Sequence, residues 1–342
     1  MSRGSATADP IQAGKHKPRL AIASIALLLI GLTFLALWLR QRARVFELKE
    51  HGAHFQTDSF FTPDWLASPE GIVALELANR RVDADLVHLL APLQGLRSVN
   101  LKGSTGVDAL MPGFANATKL RRLTLARTDV SDEGFAYVAG MLALEELYLD
   151  QTALTNVAFQ HLQGLTNLKR ITSPWALSDE GMRYLEGLKQ LRFLSLTDTS
   201  ASDEGMYHLQ ALIELEMLYL ERTQLSDDGL RYLTGLTQLR TLRLDGTQVS
   251  DAGLQHIAHL PELERLTLCD TNVTAQGLEQ LSSVPRLQIL VLDGTQVTDE
   301  AIEHLAAIPA LTSLTIRSPA VSDATLQRLK ETLPHGVLHL SW

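Results

Sequence analysis

One cysteine, Cys269, occurs in 342 residues, so the chain can form no intrachain disulfide and no multi-cysteine zinc site. Aromatic residues are scarce at 6%, while the 45% hydrophobic and 20% charged content is that of a folded chain. Basic residues are thin beyond the N-terminus. Residues 1–50 carry eight Lys/Arg against three Asp/Glu, which leaves 22 basic and 36 acidic residues in 51–342, a net charge of −14. So acidic a body repels phosphate backbones, and no nucleic-acid partner is expected. Also absent are G-x-S-x-G, a phosphate-binding glycine loop, H-E-x-x-H and a dinucleotide fingerprint. The expectation is a protein that is not an enzyme and uses no cofactor.

Residues 1–19 form a basic tail. Leu20–Leu39 then reads LAIASIALLLIGLTFLALWL, twenty residues without a charge. As a helix that run is about 30 Å long, the thickness of a bilayer core. Lys15, Lys17 and Arg19 precede it, Arg40, Arg42 and Arg44 follow, and Trp38 lies at the exit boundary. A cleaved signal peptide has a shorter apolar region ending in small residues, whereas this one ends in LWLRQRAR. The reading is one transmembrane helix over 20–39 and a single-pass membrane protein. Basic residues flank both ends almost equally, so the positive-inside rule gives only a lean, towards a cytoplasmic N-terminus and an exported body.

Beyond a juxtamembrane and capping segment over 40–71, the chain repeats itself. LEMLYLERTQLSDDGLRYLTGLTQ starts at Leu215, LRTLRLDGTQVSDAGLQHIAHLPE at Leu239 and LQILVLDGTQVTDEAIEHLAAIPA at Leu287. About eleven units fill 72–336, beginning at Ile72, Leu96, Leu120, Leu144, Leu168, Leu191, Leu215, Leu239, Leu263, Leu287 and Leu311. The step is 24 residues except between Leu168 and Leu191, where it is 23. Apolar residues at positions 4 and 6 alternate as in a strand with one buried face. Those at 16, 19 and 22, such as Leu230, Leu233 and Leu236, form a stripe read as one face of a helix. A Ser-Asp or Thr-Asp pair between them supplies an N-cap and a carboxylate for the positive end of the helix dipole. Glycine at position 15 is read as allowing close approach of the helix start to the strand layer.

These units resemble the leucine-rich repeat family, and most closely its 24-residue bacterial variety, L-x-x-L-x-L-x-x-T-x-V-[ST]-D-x-G-L. The segment before Ile72 is similar to that of membrane-anchored bacterial repeat proteins. The resemblance implies an α/β solenoid, a horseshoe with a parallel inner sheet and outer helices. Where the family usually has Asn after the strand, this chain has Thr128, Thr152, Thr199, Thr223, Thr247, Thr271 and Thr295, whose hydroxyls can satisfy turn backbone groups. Phe46, Phe55, Phe60, Phe61 and Trp65, with Thr62–Trp65 as an N-cap and first helical turn, are expected to cover the first unit. VLHLSW, residues 337–342, is expected to close the other end as a capping strand.

Candidate chemistry is sparse. His161, His208, His256 and His304 share position 18 with Tyr137, Tyr184 and Tyr232, a column better explained by lateral packing. Neither His256 with His259 nor His51 with His54 has carboxylate or thiolate partners at ligand spacing, so no metal is expected. The acidic column at helix starts is assigned to the helix dipole rather than to calcium. Cys269 lacks a base partner and is read as inert.

Positions 3 and 5 point away from the core and tile the inner sheet. Tyr148, Phe193, Met217 and Tyr219 are large groups that folding does not require there, and Arg170 lies among them. Trp175 joins them if the shortened unit, TSPWALSDE, bulges inward. Aromatics with arginine are the composition of a protein-binding hot spot. The expected partner is a protein held on the concave face by Tyr148, Arg170, Trp175, Phe193, Met217 and Tyr219. The alternatives are a self-associating structural protein of the envelope or a binder of glycan or cell wall. A ubiquitin-ligase substrate-recognition subunit is disfavoured, since no F-box-like region fits in residues 40–71.

Overall fold

The computed structural model describes residues 33, 36, 39–40, 42–57, 71–316, 321–322, 324–325, 327–328 and 337–340. Leu20–Leu39 lies outside these apart from three isolated positions, and Phe60, Phe61 and Thr62–Trp65 lie outside them entirely. Among the described residues no helix is long and apolar enough to cross a membrane.

Thirteen strands form one sheet in simple chain order. They are β1 His54–Thr57, β2 Ile72–Glu76, β3 Ser98–Asn100, β4 Arg122–Thr124, β5 Glu146–Tyr148, β6 Arg170–Thr172 and β7 Phe193–Ser195. Then follow β8 Met217–Tyr219, β9 Thr241–Arg243, β10 Arg265–Thr267, β11 Ile289–Val291, β12 Ser313–Ile316 and β13 Val337–Leu340. β1 runs antiparallel to β2, and every later pairing is parallel. The leucine alternation explains the register. Leu218, for example, pairs with Leu194 and Leu242, so position 4 of each unit stacks on position 4 of the next and forms a continuous apolar ladder. Leu215, Leu218 and Leu220 from the strand side, and Leu230, Leu233 and Leu236 from the opposite side, are all at most 1% exposed. At the N-terminal end Val45 and Leu48, on a helix over 42–50, enter the same core, while Phe46 between them is 64% exposed.

The outer layer carries the expected helices in short form. Most units have one α-turn followed by one 3₁₀ turn, as in Asp227–Leu230 and Arg231–Leu233. The apolar spacing explains this. Residues 16, 19 and 22 align at three residues per turn, whereas an α-helix would carry the third of them far round the axis. Longer α-helices occur at Asp251–Ile257 and Asp299–Ala306.

The aspartate at position 13 does more than meet a helix dipole. Asp227 Oδ1 accepts the backbone N–H of Ser250, 2.7 Å away, and Oδ2 accepts the Ser250 hydroxyl at 2.6 Å. The same two-pronged clamp joins Asp132 to Thr155, Asp179 to Ser202, Asp203 to Ser226 and Asp251 to Thr274. Asn156 performs it on Ser178 with an amide. The clamp also accounts for the glycine column. A Cβ at Gly253 would overlap Asp227 Oδ1, and one at Gly277 would overlap Asp251 Oδ1. Glycine therefore makes room for the previous unit's carboxylate, not for the strand layer. Where the clamping residue is Ala275, the next unit has Ala301 in place of glycine. Ala158, opposite Asp132, and Thr325, opposite Asp299, are the exceptions.

Each strand is left through a tight turn. Position 8 adopts a left-handed conformation at Asn79, Gly103, Arg127, Gln151, Asp198, Arg222, Gly246, Asp270 and Gly294. The threonine that follows closes the turn, as when the Thr223 hydroxyl donates to the Leu220 carbonyl at 2.8 Å; Thr128, Thr152, Thr199, Thr247, Thr271 and Thr295 do the same. The unit from Leu168 has no left-handed residue in this turn. Its missing residue is absorbed there, and the register of β6 on β7 is unbroken, Arg170 facing Phe193 and Thr172 facing Ser195.

Candidate ligand-binding face

Parallel strands of three residues leave positions 3 and 5 pointing away from the leucine core, so side chains from successive units stand side by side about 4.8 Å apart. On β6 to β9 they form a stacked row. The Arg170 guanidinium lies 4.5 Å from the Phe193 ring centre, Phe193 meets Tyr219 edge-on at 5.0 Å, and the Arg243 guanidinium lies 4.2 Å from the Tyr219 ring. Arginine over an aromatic face is attracted by the ring quadrupole, and an edge-on ring pair places a positive edge against a negative face. Arg243 also pairs with Glu221 at 3.2 Å. Glu221 is 8% exposed and accepts the Thr197 hydroxyl at 2.6 Å, so its charge is compensated where solvent is excluded.

Covering by its neighbours leaves Phe193 only 7% exposed, so it supports the row from beneath. Met217 follows Phe193 at position 3 of β8 and, like Tyr219, is partly exposed. Tyr148 stands apart on β5, where its hydroxyl donates to Glu146 at 2.8 Å; burial and that carboxylate push its phenol above its usual value. Glu146 is gripped by Arg122 through two bonds of 2.7 and 2.9 Å, which holds its carboxyl below the usual range. Between Tyr148 and Tyr219, position 5 carries only Thr172 and Ser195, so the two phenols flank a shallow trough three strand steps wide, roughly 14 Å.

The structure thus brings Arg170, Phe193, Met217 and Tyr219 together and sets Tyr148 at the far bank of the trough. Trp175 is different. It sits in the turn after β6, is 55% exposed, and makes none of the row's ring contacts, because the short unit tightens its turn without bending its strand. Arg243 is a member of the row that the composition of the aromatic cluster does not reveal. Its position 5 on the strand next to Tyr219 was the available signal.

Of the remaining candidates, His208 Nδ1 bonds Glu186 of the preceding unit at 2.6 Å, a lateral contact between coils. Among the described residues no group of three or more His, Cys, Asp or Glu is placed to hold a metal ion. The Cys269 thiol is pushed up to about 12, first by burial and then by Asp245 beside it.

A sequence profile described as leucine-rich repeat region matches residues 84–333, most of the chain. The chain belongs to the leucine-rich repeat family. No curated protein matches this leucine-rich repeat chain in sequence. Solved structures share its fold. An internalin of Listeria monocytogenes (InlF) superposes with a TM-score of 0.62 at 19% identity, over 80% of this chain and 83% of that one. A leucine-rich repeat protein of Leptospira interrogans gives 0.52 at 17% identity, over 81% and 92%. Identities this low establish the solenoid and nothing of the ligand.

Proposed function

We propose that this chain is a non-enzymatic binding scaffold, anchored in a membrane by Leu20–Leu39, that captures a protein ligand on the concave face of β5 to β9. The observation that carries the reading is the row Arg170–Phe193–Tyr219–Arg243 with Met217 beside it. The leucine ladder and the aspartate clamps already hold the fold, and neither needs large side chains at positions 3 and 5. Rigid aromatics and arginines at the middle of a concave surface are what interface hot spots are made of. The uncharged run of twenty residues between basic flanks supports the anchor, and the lean of those flanks supports an exported repeat domain.

The test is site-directed photocrosslinking in cells. A photoreactive residue in place of Met217 should yield a discrete adduct that Phe193→Ala with Tyr219→Ala removes, while one in place of the exposed Val157 should yield none. Equal adducts from both sites refute the concave-face assignment. A reporter active only after export, fused after Trp342, tests the topology; a silent reporter refutes export.

A further inference from the structure

Resting on the concave-face reading, the charges on that face point to the chemistry of the ligand. Four guanidinium groups occupy positions 3 and 5 of β4 to β10. Arg122 is ion-paired to Glu146 and Arg243 to Glu221, whereas Arg170 and Arg265 have no ion pair among the described residues. The carboxylates of the same strands are all engaged from within. Besides those two glutamates, Asp150 accepts the Thr172 hydroxyl, and Asp245 accepts the Thr267 hydroxyl and the Cys269 N–H. Those two aspartates also lie at position 7, the far margin of the face. Along position 3 the sequence of groups from β6 to β10 is Arg170, Phe193, Met217, Thr241 and Arg265, in unbroken register. Two guanidinium groups without a contact ion pair therefore bracket the centre of the face, Arg170 acting on the Glu146 carboxylate only at longer range. Four strand steps separate them, about 19 Å.

A second observation points the same way. Beside the start of β6 and β7 lies a hollow of about 350 Å³ lined by Lys169, Lys189, Gln190, Arg192 and Glu214. Lys169 and Arg192 are committed to Glu145 and Glu216, and Lys189 has no ion pair among the described residues. Unused positive charge is thus concentrated on the position-3 side of the face, although residues 51–342 are strongly acidic overall.

We infer that the ligand is an extended acidic segment of a partner protein, lying across the strands along position 3. Carboxylates about six residues apart reach Arg170 and Arg265, and apolar side chains between them rest on Met217 and on the row that Phe193 supports from beneath. In an extended chain, residues 1, 3, 5 and 7 share one face and residues 1 and 7 are about 20 Å apart, which matches the spacing of the two arginines.

The probe is a fluorescein-labelled peptide, Glu-Ala-Leu-Ala-Leu-Ala-Glu, titrated with the full chain in detergent and read by anisotropy. Controls are Lys-Ala-Leu-Ala-Leu-Ala-Lys and the shorter Glu-Ala-Leu-Ala-Glu. The seven-residue acidic peptide should bind, and at least tenfold more tightly than either control. Arg170→Glu and Arg265→Glu should each weaken it at least tenfold without changing the circular dichroism, and Lys189→Glu should weaken it less. Preference for the lysine peptide, indifference to both arginine substitutions, or no binding at millimolar protein each overturns the inference. Its failure is separable from that of the concave-face reading. Crosslinks at Met217 that survive both arginine substitutions retain the face and remove the acidic ligand, whereas absence of crosslinks removes the face itself.

Discussion

The glycine at position 15 and the aspartate of the preceding unit should be energetically inseparable, and Gly253 with Asp227 is the cleanest pair on which to measure this. Asp227 supplies two hydrogen bonds to Ser250 in a part-buried site. Bonds to a charged acceptor are worth more than neutral ones, so Asp227→Ala should cost about 2 kcal/mol. Gly253→Ala adds a methyl where the carboxylate oxygen already sits, with the Leu230 Cδ1 methyl 2.8 Å from the new carbon. Overpacking of this kind costs about 2 kcal/mol, offset by about 1 kcal/mol for replacing glycine inside the helix Asp251–Ile257, a net loss of about 1 kcal/mol. In the double variant the oxygen is gone, Leu230 can rotate aside, and the helix gain remains, so the total loss should be about 1 rather than 3 kcal/mol. The coupling of about 2 kcal/mol is read from urea unfolding by circular dichroism, with hydrogen exchange at the Ser250 amide as a local check that does not depend on two-state behaviour of an array. Ala275 followed by Ala301 is the same exchange made within the chain itself. Additivity within about 0.5 kcal/mol would refute the reasoning and leave the glycine column without its cause.

Three further outcomes follow from single sites. Ser173 replaces a core leucine and is 4% exposed with its hydroxyl unpartnered, so Ser173→Ala should raise stability by about 1 kcal/mol, measured by the urea midpoint. Cys269, with its thiol pushed up to about 12, should react with iodoacetamide at pH 8 on the order of a thousandfold more slowly than an ordinary cysteine; rapid alkylation of the folded chain refutes its burial. Glu146 is held below its usual value in the folded state, so the unfolded chain binds its proton first. Its contribution is complete above the ordinary glutamate value and is lost as pH falls through the depressed one. Glu146→Gln should therefore flatten the acid limb of the stability–pH curve below about pH 4.5, and an unchanged limb counts against the Arg122–Glu146 pair.

The strands were legible because each unit restates them: leucine at positions 1, 4 and 6 fixes the buried face, and the start of every unit fixes the register. The outer helices are short for a local reason. Leu230, Leu233 and Leu236 are spaced by three, which is the 3₁₀ period but also occurs in amphipathic α-helices, so the spacing alone does not separate an α-turn from a 3₁₀ turn. The clamp was hidden differently. Asp227 has its partner in the next coil, at Ser250, so a unit considered alone shows only an acid at a helix start. Comparing units would have revealed it, since Ala301 follows Ala275. The left-handed turn at position 8 carried only a partial compositional signal: Asn79, Gly103, Asp198, Gly246, Asp270 and Gly294 are types that favour it, but Arg127, Gln151 and Arg222 adopt it as well. On the concave face, alternation placed Phe193 and Tyr219 on one side of the sheet. Their mutual contact, and the partition of arginines between paired and unpaired, depended on neighbouring strands.

Because each clamp needs one aspartate from its own coil and a hydroxyl with a glycine from the next, units that carry all three can follow one another. Cutting the chain within one unit and rejoining it at the same position of a later one restores an identical junction, whatever number of units is lost or gained. Among those units array length is therefore open to unequal recombination without a lost clamp at the seam. The unit beginning at Leu168 does not share that freedom. Its shortened turn marks one address in an otherwise interchangeable series, and it supplies Arg170, the first member of the stacked row. Duplications before it, or beyond the unit that carries Arg243, would lengthen the horseshoe while leaving that row intact.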